Sequence, residues 1–109
     1  MARETDRDVI AFSNKLTDAE AERIALLMEE CGEVVQACAK ILRHGYESHN
    51  PHGSMRQESN RDALAKEIGH IRLAVELMTS AGDIQLCDVR LATKAKAEAI
   101  SRWLHHQII

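Results

Sequence analysis

Apolar residues recur every three or four positions along one unbroken stretch: Ile24, Leu27, Met28, Cys31, Val34, Val35, Cys38, Ile41 and Leu42. A 3.6-residue period sustained this long reads as an amphipathic helix. Thr17 supplies an N-cap, with Glu20 three residues later in capping-box spacing, and Gly45 supplies the stop. The first helix is therefore expected from about Asp18 to His44. A second is expected from a Ser59 or Asn60 cap, with Asp62 in its first turn, to Gly82. Its apolar surface is Leu64, Ile68, Ile71, Leu73, Val75, Leu77 and Met78. A third is expected from near Asp88 to about His106.

With one Pro and five Gly in 109 residues, little interrupts these periods, and aromatics at 3% leave Leu, Ile, Val, Ala and Met to build the core. The expected class is all-α. So small a core is marginal alone. The expected architecture is a small helical bundle of two long antiparallel helices plus a third, completed by oligomerisation. Residues 1–16, with the apolar patch Val9-Ile10-Ala11-Phe12, form an N-terminal arm or short helix, and 17–109 the helical domain. The polar stretch Tyr46–Ser59, which holds His49 and His52, reads as a loop.

A net charge of −3 argues against stable nucleic-acid binding. No apolar run approaches a membrane span and no signal peptide is visible, so no membrane association and a cytoplasmic location are expected. Three Cys without a CxxC pair read as structural thiols. Cys31 and Cys38, seven apart, are expected to be buried spacers.

Inside the first helix lies Glu29-Glu30-Cys31-Gly32-Glu33. Glu33 neighbours both other carboxylates on the helix surface, where like charges repel. The cluster is interleaved with the apolar stripe, so its members cannot all reach open solvent. Glu67-Ile68-Gly69-His70 repeats the arrangement on the second helix, at the edge of its apolar face. Hard divalent cations take oxygen ligands and keep open positions for water and phosphate. The two clusters are thus candidate halves of one metal site: Glu29, Glu30, Glu33, Glu67 and His70 as ligands, the first three also as catalytic groups. Gly32 and Gly69, costly in mid-helix, suggest close backbone approach there. Basic residues Lys40, Arg43, Lys94, Lys96 and Arg102 are candidates for holding a polyanion.

The strings Leu26-Leu27-Met28-Glu29-Glu30-Cys31-Gly32-Glu33-Val34-Val35-Gln36-Ala37 and Asn60-Arg61-Asp62-Ala63-Leu64-Ala65-Lys66-Glu67-Ile68-Gly69-His70 resemble the EExxE and ExxD halves of the MazG-type all-α nucleoside triphosphate pyrophosphohydrolases. The resemblance spans roughly residues 17 to 106. It implies hydrolysis of a (deoxy)nucleoside triphosphate to monophosphate and pyrophosphate, dependent on Mg²⁺ or Mn²⁺, by water attack at the α-phosphorus. It also implies Glu29, Glu30, Glu33 and Glu67 as ligands, basic groups on the following helix near the phosphates, and a homodimer or homotetramer. His70 stands where the pattern has Asp. An imidazole suits Mn²⁺, Fe²⁺ or Zn²⁺ better than Mg²⁺. Glu67 with His70 also fits a di-iron carboxylate bundle, if a symmetric dimer supplies two such pairs. Loss of the Asp fits a non-catalytic interaction module of the same fold.

Overall fold

The computed structural model describes residues 13–49 and 58–108. The apolar patch ending at Phe12, and His52 of the loop, lie outside them. Among the described residues the chain is all-helical: α1 (Asp18–His44), α2 (Asn60–Ala81), α3 (Leu86–Ala99) and a 3₁₀ turn (Ile100–Arg102). His49 and Ser59 form an isolated antiparallel bridge. The chain divides between Val75 and Glu76 into two compact units. The first holds α1 and most of α2; the second holds the end of α2, α3 and the 3₁₀ turn.

α1 begins with a reciprocal capping box. Thr17 Oγ1 accepts from the Glu20 backbone N–H at 3.1 Å, and the Glu20 carboxylate accepts from the Thr17 N–H at 2.9 Å. Two of the amides that a helix start leaves without partners are satisfied in this way. The helix ends at Gly45, whose φ of 84° is open to glycine without strain. α2 starts with the same device: Ser59 Oγ accepts from the Asp62 N–H, and Asp62 Oδ2 accepts from the Ser59 N–H. Gly82, at φ 81°, follows its last turn.

The junction between α1 and α2 is tied at several points. Asn60 Nδ2 donates to the Gly45 carbonyl, and the Asn60 and Arg61 amides donate to Ser48 and Tyr46 carbonyls. The Arg61 guanidinium lies 4.4 Å from the Tyr46 ring centroid and pairs with Glu47 at 2.8 Å. These ties hold the start of α2 beside the end of α1. The chain therefore reverses, and the middle of α1 meets the middle of α2 as an antiparallel pair.

Two sequence expectations are corrected here. The third helix starts at Leu86 and is α-helical only to Ala99, after which it tightens into the 3₁₀ turn. Cys31 and Cys38 are exposed, not buried. The apolar period of α1 serves two faces. Leu26, Leu27, Val34 and Ile41 are half-buried and Ala37 is buried, whereas Met28, Val35 and Leu42 stand 70, 69 and 88% exposed. Among the described residues only Ala37, Ala74 and Met78 are buried apolar side chains. α2 divides likewise, with Ile68, Leu73 and Leu77 exposed.

Candidate metal centre

Glu30 and Glu33 lie one turn apart on α1, and Glu67 and His70 one turn apart on α2, so each helix presents two side chains on one face. The antiparallel pairing brings these four together. One ligand atom from each lies within 4.8 Å of all the others. The group spans two helices but belongs to one compact unit, so the α1–α2 junction fixes its geometry.

The group is electrostatically unfinished. His70 Nδ1 stands 3.1 Å from Glu30 Oε2 and 3.3 Å from Glu67 Oε2. Only the first contact has hydrogen-bond geometry. Glu67 Oε2 is left out of solvent and without a hydrogen-bond partner. The Glu30 and Glu67 side chains are each 13% exposed, against 47% for His70. A buried carboxylate oxygen lacking a donor is costly, because desolvation is not offset by a bond. A cation among the four groups would remove that cost.

Glu33 carries the consequence. A hydrogen bond with the Glu67 side chain holds its carboxyl above the usual range; the Glu67 charge and desolvation push the same way, opposed by His70 and Lys66. Lys66 was not singled out in the sequence, although it directly precedes Glu67. It pairs with Glu58 at 3.4 Å, and the field it contributes at Glu33 is the sequence-distant kind that spacing does not reveal.

The donor set of three carboxylates and one imidazole fits a divalent ion of intermediate softness, Mn²⁺ or Fe²⁺, and tolerates Mg²⁺. His70 Nδ1 can donate to Glu30 or ligate through its lone pair, but not both. Ligation through Nδ1 therefore requires the tautomer with the proton on Nε2.

The structure does not bring every expected residue to this group. Glu29 is exposed and outside it. Lys40 and Arg43 are exposed on the last turns of α1, and Lys94, Lys96 and Arg102 are exposed residues of the second unit. Gly32 and Gly69 do not mark a close helix contact. A Cβ at either would meet no atom within 4 Å. Searches against protein-family models, curated proteins and solved structures found no match for this chain.

Proposed function

We propose that the protein is a metal-dependent nucleoside triphosphate pyrophosphohydrolase, releasing pyrophosphate and a (deoxy)nucleoside monophosphate. The observation that carries the reading is the convergence of Glu30, Glu33, Glu67 and His70 around a buried, unpartnered carboxylate oxygen. The resemblance to the MazG-type enzymes supplies the reaction. Glu30, Glu33, Glu67 and His70 are the candidate ligands, and Glu29 is left out of the set. When bound there, Mn²⁺ or Mg²⁺ supplies charge neutralisation for a triphosphate and acidifies a coordinated water.

The residues of the chain do the rest. Glu30 and Glu67, each with a side chain 13% exposed, present carboxylate oxygens in a partly desolvated setting, where charge acts more strongly than in water. Glu33, one turn along α1 from Glu30 in the same group, is the carboxylate that would orient the attacking water and take its proton. Attack at the α-phosphorus forms a P–O bond to water and breaks the bond to the bridging oxygen. Pyrophosphate leaves with that electron pair. Lys40 and Arg43 on α1 are candidates for binding the phosphates, and a cytoplasmic location follows from the substrate class.

The experiment is hydrolysis in heavy-oxygen water with Mn²⁺ present. The label is expected in the monophosphate; label in pyrophosphate or orthophosphate overturns attack at the α-phosphorus. Metal binding is read separately from turnover. Millimolar Mn²⁺ should raise the melting temperature of the wild-type protein by mass action, and an unchanged melting temperature would contradict the site itself.

A further inference from the structure

Lys66 stands beside the metal group without a part in the proposed reaction. It lies one turn before His70 and about 40° around α2 from it, on the flank where the His70 side chain is 47% exposed. Leu64 and Ile71, on the other side of Glu67, are half-buried. The group therefore opens to solvent on the flank that carries His70 and Lys66. The Lys66 charge reaches into the group. It acts on the Glu33 carboxyl, against the rise that the hydrogen bond with Glu67 imposes.

The Lys66 ammonium rests 3.4 Å from Glu58 Oε2, and the two side chains are 50 and 44% exposed. Charge-assisted N–H···O bonds close to about 2.7–2.9 Å, and exposed ion pairs contribute little. Glu58 therefore holds Lys66 weakly. Because Glu58 precedes α2, the ammonium is drawn from the metal group toward the start of that helix.

We propose that Lys66 exchanges Glu58 for the β- and γ-phosphates of a bound triphosphate, which sets the direction of the substrate: phosphates toward the start of α2, nucleoside away from it. The inference rests on the pyrophosphohydrolase reading. Three carboxylates match or exceed the charge of one divalent ion, so such a group offers a polyanion no surplus positive charge. Phosphates that extend past it need a cation of the protein. An ammonium on a flexible stem binds phosphate as a point charge and can leave one anion for another. Glu58 keeps that cation at the rim until a phosphate displaces it.

The test reads binding apart from turnover. Titration calorimetry measures the affinity of the Mn²⁺-loaded full chain for inorganic pyrophosphate, and thermal shift measures Mn²⁺ binding alone. Lys66→Met keeps most of the stem and removes the charge. It should weaken pyrophosphate binding by roughly tenfold or more, the scale of one hydrogen bond to a charged group. Mn²⁺ binding should not fall, since the lost charge repelled the ion. Glu58→Gln should tighten pyrophosphate binding, which a merely structural Lys66–Glu58 pair would not do. In turnover, Lys66→Met should raise KM for the triphosphate with kcat little changed. Pyrophosphate affinity that is absent in the wild type, or unaltered in Lys66→Met, overturns the proposal, as does a Glu58→Gln protein that binds no more tightly. Turnover with a KM unaltered in Lys66→Met keeps the reaction and strikes this subsite. Lys66-dependent pyrophosphate binding without turnover keeps the subsite and strikes the reaction.

Discussion

Glu33 is the residue at which the acidic group makes its electrostatics measurable. Its pKa is raised in the folded protein, first by the hydrogen bond with Glu67. Between the ordinary carboxylate pKa and the raised one the folded chain therefore holds more of this proton than the unfolded chain. Stability then falls as pH rises from about 4.5 upward. The Glu33 contribution is lost as pH rises from about 4.5 through the raised value, so the metal-free wild type is expected to lose more stability between pH 4.5 and pH 7 than Glu33→Gln does. A wild-type slope retained in Glu33→Gln would assign the effect to other groups. Metal affinity should run the opposite way, rising with pH as the carboxyls lose their protons.

His70 is the second informative residue. Its Nδ1 lies within 3.3 Å of both Glu30 and Glu67, as a ligand's neighbours would. His70→Asp replaces a nitrogen by anionic oxygen, the donor Mg²⁺ prefers. The ratio of Mg²⁺- to Mn²⁺-supported turnover should rise by roughly tenfold or more, on the scale by which single site groups tune metal affinity. An unchanged ratio would take His70 out of the ligand set. The sequence alone showed that the two acidic clusters belong together, since their i, i+3 spacing and position at the apolar edge survive in the structure. It did not separate Glu29 from Glu30. Adjacent residues on a helix point about 100° apart, and only the position of α2 decides which one turns inward.

At the scale of elements, caps and stops were legible because they are local chemistry. Thr17 with Glu20, and Ser59 with Asp62, satisfy backbone amides within four residues, and no distant partner can alter that. Thr17→Ala removes one of these bonds and should destabilise the protein by about 1 kcal/mol. A lower urea midpoint at unchanged m-value would show it, and an unaltered midpoint would mean that the start of α1 contributes nothing to the cooperative unit. The third helix was less legible. Gln85 caps α3 without a side-chain hydrogen bond, so no Ser, Thr, Asp or Asn signal marks its start. Its tightening into a 3₁₀ turn after Ala99 has no breaker residue to announce it.

For the whole molecule, the apolar period of α1 was read as one core stripe, and that is where the sequence misled about Cys31 and Cys38. Residues spaced by three and four on neighbouring stripes are interleaved along the chain. Periodicity therefore cannot assign Val34 to one face and Val35 to the other; the half-buried Val34 and exposed Val35 show that split. Among the described residues no large side chain is fully buried. No described helix is long and apolar enough to cross a membrane.

The proposed function stands or falls with whether the four-residue group on α1 and α2 is a hydrolytic metal site or a solvated acidic face. Its most direct test is a panel of ribo- and deoxynucleoside triphosphates assayed with Mn²⁺ and with Mg²⁺, comparing wild type with Glu67→Gln and separating pyrophosphate from orthophosphate. Equal amounts of pyrophosphate and monophosphate are expected from at least one triphosphate. A loss of at least about a hundredfold is expected in Glu67→Gln, beyond the range seen when only a ligand's supporting contacts are removed. No turnover of any triphosphate with either metal, or wild-type rates in Glu67→Gln, would contradict it.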